Sequence, residues 1–549
     1  MFAFAQRPES WRVQLRRWLL PTMLLAASVA CATEPYDLGR VQVTGKDATT
    51  VGMNPGTFSI SESMGEKEIC LPEINAVAVA EPLDQQAPAV TPALMMPAAS
   101  GAPDIAIGAM AGQRGSNWQR LTARGEYQCS EGRLRLERER RDGFRSEIND
   151  ERKALEAGLS MREQGNYEIN ATALYTDETY AQRGTRTAPT PLAGINDTIR
   201  AVNVEGQSTL SDGAHFTGRG RIDQRDRDTT NPALGWSDSA QLHAGGAEFE
   251  YLKDLNPGHR VKGLLALKND SYEFANGQRQ KLTKTSVGGD YEVESGKTAR
   301  ITIGARQTNL LDRSHFGPRV KLSYLWNDPW QIELRYDEDL GNDDLASIYL
   351  PHRYVAFNGL TASIDRRWSA LARYRSADGF TAGIEYFGER NDDDLEFVDR
   401  FDATRGILVN DFRKAQARRE GLKVSGKWQL EKDFTLGVLG VLQNPEDRNT
   451  GLQLSYEAKR QLDVSLAYDR GPMLVKISRR TMADRVAYVP TAKVDLPNYS
   501  RADLELAWRF RDRLKASIKV KDLYDEGKDL RYDVPEEGRV TMAGLEAEF

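Results

Sequence analysis

The sequence predicts an all-β protein: a transmembrane antiparallel β-barrel of about 22 strands, preceded by a signal peptide and a short, largely irregular N-terminal segment. Three observations predict it. Apolar and polar residues alternate with period two through most of the 549 residues, the mark of strands with one apolar face. The residues between the apolar ones carry full charges, so the second face meets water. Beyond the N-terminus no apolar run approaches the roughly 20 residues a spanning helix needs. Charged residues make up 28% of the chain and the mean hydropathy is −0.57, which excludes a helical membrane bundle.

Residues 1–32 read as a secretory signal. Arg7, Arg12, Arg16 and Arg17 form a positive n-region, Leu19 to Ala30 an apolar core broken by Pro21, and Ala30-Cys31-Ala32 a small-x-small cleavage site. The mature chain then starts at Thr33. Removal of Cys31 leaves Cys70 and Cys129. In an oxidising compartment such a pair is most simply a disulfide, and two unpaired thiols is the alternative. Residues 33–115 form the next segment, much of it Ala/Pro-rich from Ala76 to Ala80 and Gln86 to Pro103, a composition that favours an extended linker over a packed domain.

The barrel is expected over 116–549. Its apolar series include Leu155, Ala157, Leu159 and Met161; Tyr167, Ile169, Ala171, Ala173 and Tyr175; and Val320, Leu322, Tyr324 and Trp326. Further along come Phe380, Ala382, Ile384 and Tyr386, and near the end Leu504, Leu506, Trp508 and Phe510. Gln331, Glu333, Arg335 and Asp337 show the other face. A charged second face rules out a sandwich interior. Closure into a barrel satisfies every backbone group at membrane depth with lipid outside and charge within. Aromatic residues at the ends of these series, such as Trp330, Trp368 and Tyr374, read as interface girdles. The boundaries are soft over 131–150 and 390–421.

The last strand, Arg539 to Phe549, places Leu545, Ala547 and Phe549 on one face and ends on an aromatic residue. It resembles the signal by which the outer-membrane assembly machinery recognises a last strand. The stretch Ile518-Lys-Val-Lys-Asp-Leu-Tyr-Asp525, followed by Gly538-Arg539 and the closing strand, resembles the C-terminus of TonB-dependent receptors. Val41, Gln42, Val43, Thr44 and Gly45 resemble the stretch at or after the TonB box of that family. The resemblance implies a barrel in the bacterial cell outer membrane, outer-membrane lipid around it, and TonB or a periplasmic or lumenal protein as partner. It also implies a globular plug, and residues 33–115 are shorter than that plug, so the plug is expected to be reduced or missing.

The balance of 74 Lys+Arg against 80 Asp+Glu argues against nucleic acid. No enzyme is expected and no cofactor or metal site is assigned. His215, His243, His259, His315 and His352 have no close metal-binding spacing, and Gly296-Lys297-Thr298 lacks the first glycine of a phosphate loop and reads as a turn. The acidic stretches Asp337–Asp344 and Asn391–Glu396 read as solvated loops, with calcium as the sharper alternative. The basic runs Arg133–Arg141 and Arg219–Arg227 read either as an anion-selecting lumen or as a neutralised charge lattice. The functional expectation is an outer-membrane transport barrel with a charged solute pathway. The alternatives are a sheath around a multihaem cytochrome or other partner, and a polysaccharide export pore.

Overall fold

The computed structural model describes residues 104–549 apart from 114, 128–129, 143–147, 164–166, 183, 185–188, 191, 211–212, 275–276, 297, 328, 342–353, 356–361, 377–378, 432, 490–491, 512, 527–530 and 535–537. The signal peptide, the Val41–Gly45 stretch, Cys31, Cys70 and Cys129 lie outside the described residues.

Among the described residues one sheet of 24 strands contains nearly all the regular structure. Two members, Tyr354–Val355 and Leu452–Gln453, are two-residue bridges made by loops. The other 22 run antiparallel around a closed barrel. Closure comes from the first strand, Asp104–Gly112, against the last, Val540–Glu548, with Ile107 opposite Ala547 and Gly112 opposite Met542. No spanning strand is left with an open edge, which matters because an unpaired backbone group in hydrocarbon costs several kcal/mol.

The barrel begins at Asp104, earlier than the expected 116. Its first strand, Asp-Ile-Ala-Ile-Gly-Ala-Met-Ala-Gly, has little contrast between faces because most side chains are small. Ile107 faces lipid and Met110 is buried inside, beside Trp118 and Met542. This run of small residues, expected to lie before the barrel, is a strand paired on both sides.

The predicted apolar series all fall on the outer face. Leu159, Ile169, Ile303 and Leu545 are exposed there, and Ile222 is 69% exposed. So much apolar surface is tolerable only against lipid. At one end the strands join through short turns. Pro257-Gly258 is an example, and Gly258 adopts φ 79°, a left-handed conformation that suits glycine. An aromatic belt follows this rim: Trp330 on Tyr374 (5.0 Å), Tyr374 on Phe380 (6.1 Å), Phe380 on Trp428 (6.1 Å) and Phe434 on Tyr468 (4.5 Å). Tyr175, Tyr336, Trp368 and Tyr386 face lipid further up their strands, and Trp368 meets Tyr386 at 5.0 Å. Asp104 and Phe549 both stand at the short-turn rim. The opposite end carries the long connections, among them 448–459, 484–498 and 522–539.

Candidate functional site: the lumen and its closed mouth

Alternation turns every second side chain inward, and the inward set is a lattice of opposite charges contributed by neighbouring strands. Arg319 reaches Asp290 (3.1 Å) and Asp337 (2.8 Å), Lys321 reaches Glu333 (3.1 Å), and Lys423 reaches Glu385 (3.0 Å). Both basic runs belong to this lattice. Arg219 lies between Glu205 (3.0 Å) and Glu248 (3.2 Å). In the other run Arg135 and Arg141 pair with Glu137 and Asp150. Asp197, fully buried, accepts hydrogen bonds from Arg225 (2.6 Å) and Arg227 (2.7 Å).

The described parts of the acidic stretches, 337–341 and 391–396, lie in strands and are not solvated loops. Asp337 and Asp339 are strand residues facing Arg319 and Lys284. Asp392, Asp393 and Asp394 are each held by an arginine: Arg366, Arg313 and Arg419. Their partners lie on strands distant in sequence, so composition alone makes the runs look like loops. Among the described histidines, His259 lies against Tyr291 (2.7 Å) and His315 against Glu338 (3.0 Å). Leu545 and Phe549 are exposed on the lipid face with Ala547 between them.

No sequence pattern marks what closes the mouth. Strands Phe380–Asp402 and Ile407–Glu431 form a long hairpin whose outer apolar series ends at Tyr386 and Leu422. Beyond these residues the register shifts between Asn391 and Asp394. This bulge lets the far half bend. Arg419 braces the bend, donating to Asn391 (3.1 Å), Asp394 (2.6 Å) and Glu457 (2.7 Å).

The far half then crosses the mouth. Leu395 and Phe412 pack on Leu242, Tyr272 and Leu282, inward residues of a wall several strands away. Near the tip, Asn231 donates to the carbonyl of Arg405 (2.9 Å), and Gln182 to that of Leu408 (2.9 Å). Arg405 stacks over Trp236 and Tyr354, and Tyr354 adds a parallel bridge to Val409 and donates to Asp238 (2.8 Å). On the other side Asp399 accepts from Tyr456 (2.6 Å) and Arg531 (3.2 Å), and Glu396 pairs with Arg413 and accepts from the Ser455 backbone (2.6 Å). The hairpin thus touches connections from both sides of the barrel.

Charge inside this lid is tightly placed. Burial alone would raise the Asp402 carboxyl, but hydrogen bonds from Thr404 and the Arg405 backbone, with the Arg405 charge, hold it down at about 2. Burial pushes Glu396 up in spite of Arg413, and Glu457 up in spite of Arg419. Burial, then the bond to Asp238, pushes the Tyr354 phenol up.

A closed barrel with an apolar exterior, an aromatic rim and a charged interior is the architecture of bacterial outer-membrane transporters. The sequence matches the family described as TonB dependent receptor-like, beta-barrel, over residues 106–523, and the chain belongs to that family. The family's members are transporters of the Gram-negative outer membrane, and they engage TonB and their ligands. Among solved structures the fold is similar to the FrpB iron transporter from Neisseria meningitidis, with TM-score 0.65, 12% identity and 82% of each chain covered. It is also similar to the ferric enterobactin receptor of Pseudomonas aeruginosa, with TM-score 0.64, 12% identity, and 82% of this chain and 81% of that one covered. The copper transporter OprC gives TM-score 0.65 and 12% identity over 82% of this chain and 80% of its own. No curated protein sequence matches at a significant level.

Proposed function

We propose that the protein is a gated solute pathway across the outer membrane, with the charged lattice as its wall and the hairpin 380–431 as the gate at its loop-side end. The packing of that hairpin across the mouth carries the reading. A wide 22-strand lumen would otherwise be an open hole. An insulating sheath or a polysaccharide export pore needs a clear path at both ends, which this packing disfavours. The similar structures are named as iron, ferric enterobactin and copper transporters, so metal ions and their chelates are the solutes to try first.

Residues Val41–Gly45 would be the point at which TonB engages, and Leu545, Ala547 and Phe549 the face read by the assembly machinery before the barrel enters lipid. Cys70 and Cys129 would close a disulfide, tying the N-terminal segment to the first part of the barrel sequence. The test is binding of the periplasmic domain of TonB to the full-length mature protein and to a version lacking 41–45. Binding lost on deletion supports energised gating. No binding to either protein would remove energised uptake and leave a passive pore.

A further inference from the structure

The lipid face carries a hollow outside the solute pathway. It lies across four neighbouring strands, Asp150–Glu163, Tyr167–Ala181, Gly194–Thr209 and His215–Asn231. Ala157 and Ala173, opposite each other in the ladder, make its floor. Val202 and Ile222 continue their row, and Ile222 stands far out from the wall. Leu155 and Tyr175 bound the hollow on the loop side. Two small residues between larger ones leave a depression of about 340 Å³.

Cations gather directly above it. Lys153 is two residues from Leu155 on the same strand and shares its outward face, and Arg138 is its ladder partner on Ser130–Arg141. Arg140 follows on that face, opposite Glu151. Glu151 reaches Arg138 (2.8 Å) and Lys153 (3.6 Å), Asp177 lies 4.0 Å from Lys153, and Arg140 has no ion pair among the described residues. Three exposed cations therefore share one close acid. Beyond Tyr175 in the same row stands Arg200, half exposed, with Asp226 at 3.1 Å. From Lys153 to Arg200 is two strand spacings across and two residues along, about 12 Å.

On the other side of the barrel the outward charges at the loop-side end are matched. Arg390 and Arg418 reach Glu420 (3.4 and 2.6 Å), Arg418 also reaches Glu446 (3.3 Å), and Arg460 holds Asp484 (2.6 Å). No comparable hollow is needed to explain that side, whereas here a surplus of cations sits over an apolar depression. Long connections mark the outer end of such a barrel, so the cations stand at the outer interface and the hollow just below it in hydrocarbon. Guanidinium groups bind phosphate through paired hydrogen bonds, and basic patches at an interface hold lipid headgroups.

We propose that this patch is a site for one molecule of lipopolysaccharide, with one phosphate of its lipid A on Arg138, Arg140 and Lys153, the other on Arg200, and an acyl chain in the hollow over Ala157 and Ala173. Lipid A carries a phosphate at each end of a disaccharide and so reaches both groups of cations. A phospholipid with a single phosphate reaches only one. The inference goes beyond the gated pathway and depends neither on the solute nor on TonB.

Native mass spectrometry of the full-length protein in detergent, with bis-phosphorylated lipid A or phosphatidylglycerol added, tests it. The expected result is one lipid A held per barrel, at least about tenfold more tightly than phosphatidylglycerol, as the loss of a charge-assisted contact implies. The triple variant Arg138→Gln, Arg140→Gln, Lys153→Gln should lose about tenfold or more of that affinity. Ala173→Leu fills the hollow, leaves every charge in place, and should weaken binding several-fold. A control that removes as many cations from the opposite side, Arg390→Gln, Arg418→Gln, Arg460→Gln, should bind as the parent does. The heat-dependent shift of the barrel on gels confirms that each variant has folded. Equal binding of phosphatidylglycerol overturns the proposal, as does undiminished binding by the first triple variant or by Ala173→Leu. An equal loss in the control overturns it too, because any cation on the outer face would then serve.

Discussion

Single residues decide how much charge and bulk the barrel wall tolerates. Asp197 is the shared counter-charge of two buried arginines, Arg225 and Arg227. Removing one partner of such a group typically costs about 3 to 5 kcal/mol, because it leaves buried charge without its compensation. Asp197→Ala is therefore expected to lower the temperature at which the folded barrel converts to the slower-migrating unfolded form on gels. An unchanged conversion temperature would mean that water already compensates the arginines. Gly388 makes a different point, since a Cβ there would sit about 2.2 Å from the Trp368 ring that covers it on the lipid face. Gly388→Ala should displace the ring and cost about 1 to 3 kcal/mol, as overpacking does. The same assay on that variant, beside Gly426→Ala as a roomier control, measures it.

At the scale of elements, the hairpin 380–431 holds itself closed through contacts at both ends. Asp399→Ala with Arg531→Ala removes one latch while leaving the spanning strands intact. Bilayer recordings of this variant should show openings more frequent than in the parent and of the same size. If openings stay as rare as in the parent, the latch does not hold the gate.

The pH dependence has two signs. Asp402 is depressed from 3.8 to about 2, so the stability it lends to closure is present above 3.8 and is lost as pH falls through about 2. Glu396 is raised above 4.5 by burial, so its contribution to closure grows as pH falls through its raised value. Because Glu396 titrates somewhere above its ordinary value of 4.5, openings should become rarer from about pH 7 to about pH 4.5, and they should become more frequent at about pH 2.5. A monotonic trend in recordings at those three values would contradict the assignment.

The same hairpin shows what sequence could and could not reveal. Up to Tyr386 and after Leu422, one face meets lipid, and the period-two pattern is plain. Between them both faces pack on protein or water, so nothing alternates, and the stretch from 390 to 421 had soft boundaries. Asp104–Gly112 was hidden for the opposite reason, because its side chains are too small to show a face. Asp399 and Arg531 lie 132 residues apart, so no local pattern could join them.

For the whole molecule, the fold class, the even strand number and the inside-out polarity were legible because they are sums over many strands, and an error in any one strand is averaged away. The gate was not legible, because it depends on one hairpin bending across a space that only the closed barrel creates. The account as a whole stands on that bend. Single-channel conductance of the full-length protein should be compared in planar bilayers with a version in which residues 394–413 are replaced by a short turn. The account predicts a parent that is closed most of the time and a shortened protein with a large, steady conductance. A parent that already conducts steadily, or a shortened protein as closed as the parent, would contradict it.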